Sequence, residues 1–255
     1  MPRFKSFDGV ELSYEVAGEG PPVVLLHGFA ADSERNWVRP GVVSALEAAG
    51  RQVVTIDARG HGSSEKPHEP AAYADSAMVH DVKSLLDRLG LDRIDVCGYS
   101  MGAMTALALA ESDGRARSLV MGGAGGRFDR RRSERAGHIA EALLADDRAS
   151  TTDPTARAFR AFADATGADR HALAAIQQAA SRTRGDPSRV VVPALVITGA
   201  DDRLVGSPHE LAGRFPTAEV KVVAGNHLTA VSDPAFREAI VDFLARVDAR
   251  DGDGG

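Results

Sequence analysis

Residues 92–114 read DRIDVCGYSMGAMTALALAESDG. Up to Tyr99 the run has the apolar character of a strand buried in a parallel sheet. From Met101 onward its small and apolar residues suit a helix. Ser100 stands at the junction, between Gly98 and Gly102. A strand, a tight turn and a helix around G-x-S-x-G lift a serine hydroxyl clear of the sheet, where a base and a substrate can both reach it. The turn strains the serine backbone, and the two glycines are expected to supply the conformational freedom it needs. The helix N-terminus points free N–H groups at the same place and favours negative charge there. The chain has 26 glycines in 255 residues, so the five-residue pattern alone is weak. Its position between strand and helix carries the reading.

On both sides of this stretch strands and helices alternate. ELSYEV (11–16) has the period of two of a half-buried strand. PPVVLLHG (21–28) and RQVVTIDARG (51–60) are short apolar runs ending in glycine turns, as buried parallel strands do. VVSALEAAG (42–50) reads as a helix closed by Gly50. In YADSAMVHDVKSLLDRLG (73–90), Met78, Val82, Leu85 and Leu89 fall on one helical face and Gly90 is placed as a C-cap. ARSLVMGGA, VVPALVITGA and EVKVVAG supply later strands, with the helix SPHELAGRF between the last two. The closing helix DPAFREAIVDFLARV has Asp233 as cap and Pro234 in its first turn. This alternation predicts an α/β fold, a mainly parallel sheet with helices on both faces. The first two of these strands are expected to form an antiparallel hairpin at one edge.

From about Arg127 to Pro187 the strand signals stop. DPTARAFRAFADAT begins with Asp153 as cap and Pro154 at the first turn, with Phe159 and Phe162 on one side, and ADRHALAAIQQAAS continues in the same style. This segment reads as a helical insertion over the sheet. Its charges nearly balance, so the run Arg130–Arg132 reads as part of a solvated helix face.

A serine hydroxyl is a poor nucleophile without a base oriented by a carboxylate. The histidines after Ser100 are His138, His171, His209 and His227. The first two lie in the helical insertion and His209 in a helical stretch. His227 directly follows a strand, in the loop GNHLTAVSDP, where ligands and catalysis collect in such sheets. The carboxylate belongs at another strand end. Asp201 and Asp202 both qualify, and spacing alone leaves the choice open. A developing oxyanion needs N–H donors aimed at it in advance. Met101, after the nucleophile, and Phe29, in the loop after PPVVLLHG, are the candidates. His27 precedes the serine and reads as a residue that secures this loop by hydrogen bonding.

Composition narrows the classes. The chain is 44% apolar and 26% charged, ordinary for a globular protein. Its net charge of −6 gives no basic footprint for nucleic acid. With Cys97 as the single cysteine, no internal disulfide can form and a cysteine-based metal site is not expected. The N-terminus lacks the apolar core of a secretory signal, and no stretch has the length of a membrane span. The expectation is a cytoplasmic protein with no membrane or nucleic-acid partner. The tail DARDGDGG is expected to fray.

HGF (27–29), DARGHGSS (57–64), GYSMG (98–102), GADDRLV (199–205) and GNH (225–227) recur in an order that resembles the α/β-hydrolase-fold family over nearly the whole chain. The pattern is similar to its carboxylesterases, cofactor-free haloperoxidases and carbon–carbon bond hydrolases. The resemblance implies a mostly parallel eight-stranded sheet flanked by helices. It divides the chain into a core (1–126 and 188–248), a small helical cap (127–187) and a flexible tail (249–255). It makes Asp202, three residues after Gly199, the acid that orients His227. It gives Asp57, Arg59 and His61 structural rather than catalytic roles. Asn226 and Gly206 depart from the family's usual glycine and proline. Relatives that open epoxides or remove halide use an aspartate nucleophile, which Ser100 is not. The implied activity is cleavage of small esters through an acyl-enzyme on Ser100, without cofactor or metal. A carbon–carbon hydrolase, a haloperoxidase or perhydrolase, and a receptor that retains the triad are the alternatives. An alanine-rich cap with few large apolar residues predicts a modest apolar pocket with no dedicated charge partner. Acyl groups of roughly two to six carbons are then favoured, by the burial each methylene gains.

Overall fold

The structure, a computed structural model, describes residues 1–127, 132–179 and 185–252. The chain opens with strands β1 (Arg3–Lys5), β2 (Glu11–Ala17) and β3 (Pro22–Leu26). Helix α1 (Val42–Ala48), strand β4 (Gln52–Ile56), helix α2 (Ala77–Leu89), strand β5 (Ile94–Tyr99), helix α3 (Met101–Ser112) and strand β6 (Ala116–Gly122) follow. Then come α4 (Arg132–Leu144), α5 (Pro154–Thr166) and α6 (Arg170–Gln178). Strand β7 (Ala194–Gly199), α7 (Pro208–Ala212), β8 (Ala218–Val223) and α8 (Pro234–Gly252) complete the fold.

The strands form one eight-stranded sheet in the order β1-β2-β4-β3-β5-β6-β7-β8. From β4 to β8 every neighbouring pair is parallel, and β1 and β2 are antiparallel at one end. This is the α/β-hydrolase architecture. The eighth strand is β1, which the sequence reading passed over because three residues carry no period. The expected hairpin is also corrected. β2 pairs with β4 (Tyr14 opposite Ile56, Ala17 opposite Val53), not with β3. The crossover through α1 lays β4 along one side of β3, and β5 takes the other, so β3 has no open edge.

Alternate residues of the central strands feed two separate cores. Val24, Leu26, Val54 and Val96 pack with α2 and α3 on one face. Val23, Leu25, Val53 and Cys97 pack with α1 and α8 on the other. On α2 the buried face is Val79, Val82, Leu85 and Leu86. Met78 is only partly buried and packs into the cluster under the cap instead.

The tail expected to fray from residue 249 is helical as far as Gly252. α8 continues to Gly252 because its last turns carry counter-charges for arginines at the base of the sheet. Asp248 accepts from Arg51 and Arg117, and Asp251 from Arg93 and Arg117. Arg51 and Arg117 converge with Ser118 on Asp95, which is 1% exposed. Residues 253–255 lie outside the described residues.

Helices α4 to α6 lie over the end of the sheet where Ser100 stands, on a cluster that includes Leu143, Ala163, Leu173 and Ile176 together with Phe29. Buried Arg160 donates through Nη1 to the carbonyls of Ala142 and Ala145 at 2.6 and 2.8 Å, tying α5 to the end of α4. Cations favour such helix ends, where carbonyls lack intrahelical partners. Arg130 and Arg131 of the predicted solvated face lie outside the described residues. Among the described residues no helix is long and apolar enough to cross a membrane.

Candidate active site

Ser100 sits between β5 and α3 with φ 53° and ψ −106°, a backbone region a side chain rarely occupies. Its N–H donates to Gly122 O at 2.8 Å, which pins the turn to β6. The flanking glycines act differently from expectation. Neither has a positive φ. They are required because backbones meet there. A Cβ on Gly98 would lie 2.2 Å from Gly102 O, and one on Gly102 would lie 2.0 Å from Leu26 O. The strain is carried by Ser100 itself.

The loops after β7 and β8 bring Asp202 and His227 to this turn. His227 Nε2 lies 2.9 Å from Ser100 Oγ, and Nδ1 lies 2.7 Å from Asp202 Oδ2. A carboxylate can only accept, so Nδ1 carries the proton and Nε2 is free to accept from the hydroxyl. The other oxygen of Asp202 accepts from Leu204 N–H at 3.0 Å. Asp201 is exposed, and its N–H bonds Gly225 O at 3.0 Å. His138, His171 and His209 are all exposed.

The loop after β3 is tied on both sides of one free donor. Gly28 N–H donates to Asn36 Oδ1 at 2.7 Å, and Ala30 N–H donates to His61 Nε2 at 3.1 Å. Among the described residues, Phe29 N–H between them has no acceptor, nor does Met101 N–H. Both residues line the same cavity as Ser100. His27 secures the loop as expected: Nε2 accepts from Ala58 N–H at 2.9 Å, leaving Nδ1–H for Gly28 O at 2.8 Å.

The DARGHGSS segment braces this loop from behind. Asp57 accepts from the N–H groups of Ser33 and Ser63 at 2.9 and 2.8 Å. Burial would raise its carboxyl pKa, but His27 and those donors hold it below the usual carboxylate range. Arg59 is fully buried and bidentate on Asp81, with Asp8 as a further partner. His61 is wholly buried; burial first, and the neighbouring His27 second, depress its pKa to about 3. It therefore stays neutral and able to accept from Ala30.

Sequence reasoning missed the positioning residues Tyr99 and Asn36. Tyr99 O–H donates to the carbonyl of His227 at 2.8 Å and holds the base's loop against β5. Asn36, beside buried Trp37 in the turn after β3, orients Gly28. Asn226 in GNH makes its own turn, with Oδ1 accepting from Leu228 N–H at 2.9 Å. Gly206 has φ +77°, a conformation closed to the proline the family often carries there.

Ser100 and His227 open into a cavity of about 150 Å³ under the cap. Met104, Ile139, Phe159 and Ile176 give it an apolar wall. The expectation of no charged partner is corrected: Arg127 and Arg135 also line it. The cap contributes long side chains to this wall beside Ala136. A second cavity of about 300 Å³ shares Phe159, Leu204 and His227 with the first. Among the described residues no group of three or more His, Cys, Asp or Glu is placed to hold a metal ion.

Residues 21–135 match a family described as alpha/beta hydrolase fold. A solved hydrolase from Pseudomonas aeruginosa is 26% identical, with a TM-score of 0.79 over 95% of this chain and 97% of that one. The enol-lactonase of Burkholderia xenovorans is 28% identical, with a TM-score of 0.72 over 96% and 100%. Among curated relatives, epoxide hydrolase B of Mycobacterium tuberculosis is 41% identical over 92 residues, 36% of this chain and 25% of that protein. The chain spans a third or less of the length of the curated relatives it matches.

Proposed function

We propose that this chain, a member of the α/β-hydrolase-fold family, is a serine hydrolase that cleaves small carboxylic esters through an acyl-enzyme on Ser100. The observation that carries this reading is the continuous hydrogen-bond path from Ser100 Oγ through His227 to Asp202, opening on a cavity.

In this mechanism Ser100 Oγ attacks the ester carbonyl carbon while His227 Nε2 takes its proton. Asp202 keeps the imidazole in the required tautomer and stabilises the imidazolium. The N–H groups of Phe29 and Met101 accept the charge that develops on the carbonyl oxygen. Collapse of the tetrahedral adduct returns the proton from His227 to the departing alcohol. Water, deprotonated by the same imidazole, then releases the acid and restores Ser100. Epoxide opening fits less well, although a curated relative carries that name. Attack by a serine would leave an alkyl ether, which lacks the carbonyl that lets water cleave an acyl-enzyme.

A cavity of about 150 Å³ is the size that holds a benzene-sized guest. That supports acyl groups of roughly two to six carbons, each methylene gaining about 0.8 kcal/mol while room lasts. The test is a p-nitrophenyl ester series together with a fluorophosphonate probe. Ser100 should be the labelled residue, and Ser100→Ala should lower turnover by about four to six powers of ten with folding intact. Rates that rise through long chains would point to an open lipase-like groove. Labelling without turnover on any ester would favour the receptor or carbon–carbon hydrolase readings.

A further inference from the structure

The two arginines in the cavity wall differ from most others in the chain. Arg51, Arg59, Arg115 and Arg117 are each paired with aspartates. Among the described residues Arg127 and Arg135 have no ion-pair partner, although the chain holds 36 acidic residues against 30 Lys and Arg. Among the described residues the side chain of exposed Arg127 reaches Arg203 O, with Nη1 donating at 3.4 Å. Arg135 is half-buried beneath the cap. Among the described residues no aspartate or glutamate lines the cavity they share with Ser100. Among the described residues, exposed Arg127 and half-buried Arg135 stand without a carboxylate partner on an otherwise largely apolar wall, and leave a positive potential that an anionic ligand can pair with. A planar guanidinium matches a carboxylate with two parallel donors, so the charge and geometry select that anion.

We infer that the substrate carries a carboxylate on its acyl group, held by Arg127 and Arg135 while its ester carbonyl meets Ser100. The apolar wall at Met104, Ile139 and Ile176 then accommodates the methylenes between the two functional groups. The substrate class is the monoester of a short dicarboxylic acid, with an acyl chain of about six carbons by the size of guest such a cavity holds. The inference rests on the serine-hydrolase reading of the same cavity, and it names what that site discriminates.

The experiment measures binding to the full-length Ser100→Ala protein by calorimetry. The probes are monoethyl adipate and its neutral isostere, monoethyl adipamate. The acid should bind at least about tenfold more tightly, as expected for charge-assisted hydrogen bonds. In the added R127Q/R135Q background that ratio should fall to near one, while R127K/R135K should keep part of it. If the double glutamine variant does not fold, R127Q and R135Q singly carry the test, and each should lose part of the ratio. Equal affinity for the two probes, or a ratio unchanged by the glutamine variants, overturns the inference. The reading beneath it fails separately. If the Ser100→Ala protein binds the acid preferentially but the unaltered protein never cleaves monoethyl adipate, the carboxylate site stands and the ester mechanism falls.

Discussion

His227 Nδ1 lies 2.7 Å from Oδ2 of Asp202, whose side chain is wholly buried, while Asp201, the preceding residue, is exposed. Two adjacent carboxylates thus have different environments. Asp202→Asn should lower turnover on an activated ester by about four powers of ten, because the amide can present N–H to the imidazole and favour the wrong tautomer. Asp201→Asn should cost less than about tenfold, since its side chain does not reach the imidazole path. Assaying both on one ester decides the matter, and the reverse ranking would remove Asp202 from the mechanism.

Tyr99 acts on the base from behind. Its hydroxyl holds the His227 carbonyl at 2.8 Å, and its ring lies 5.8 Å from the imidazole. Tyr99→Phe removes one hydrogen bond and keeps the packing. We expect a stability loss of about 1 kcal/mol and a drop in kcat of up to about tenfold, with KM little changed. A variant with an unaltered kcat would show that the loop keeps its place without this bond.

Gly102 allows α3 to approach β3. Gly102→Ala would set a Cβ 2.0 Å from Leu26 O and 2.7 Å from His27 O, just before the Phe29 loop. Overpacking against backbone has no flexible side chain to yield, so a loss of about 3 kcal/mol is expected, with activity falling alongside. Gly137→Ala is the control. It lies in α4 with nothing within 4 Å of the added Cβ and should raise stability by roughly 0.5–1 kcal/mol. Denaturant titration of both variants tests the contrast, and similar effects from the two would refute it.

His61 makes the fold sensitive to acid. Its pKa is depressed to about 3 in the folded chain, below the ordinary value of 6.5. The folded state therefore disfavours the proton that the unfolded chain binds. The stability this contributes is fully present above pH 6.5 and is lost as pH falls from there toward 3. One such group gives a slope of about 1.4 kcal/mol per pH unit in that window. His61→Gln keeps an acceptor for Ala30 N–H but removes the titration. Its stability should vary less between pH 6.5 and pH 5 than that of the unaltered protein, by about one proton's worth of slope. Equal slopes would mean that other groups govern the acid response.

Much of this was legible in the chain because the signals are local. Period-two and period-3.6 patterns, glycine turns and the strand-serine-helix junction each arise from a few neighbouring residues. Seven strands and the helical insertion could be read from them. So could Ser100, His227 and the Asp201–Asp202 pair as candidates for nucleophile, base and acid, with Asp202 chosen from its pair by resemblance. The three-residue β1 offered no period, and the pairing of β2 with β4 depends on which edge a crossover leaves open.

Only the tertiary structure decided the features that depend on distant residues meeting. The 127-residue separation between Ser100 and His227 closes into a 2.9 Å contact because the loops after β5 and β8 end on the same side of the sheet. Phe29 N–H is left free because Asn36 and His61, from two other segments, take the donors on either side of it. Asp248 and Asp251 hold the last helix in place through arginines more than a hundred residues away in sequence, which no reading of a polar tail would find. No local pattern marks Arg127 and Arg135, yet both line the cavity once the cap lies over β5 and α3. Sequence encodes which groups a chain possesses and how each segment prefers to fold. Which groups face one another is settled by packing, because buried contact between remote segments is what outweighs the entropy of bringing them together.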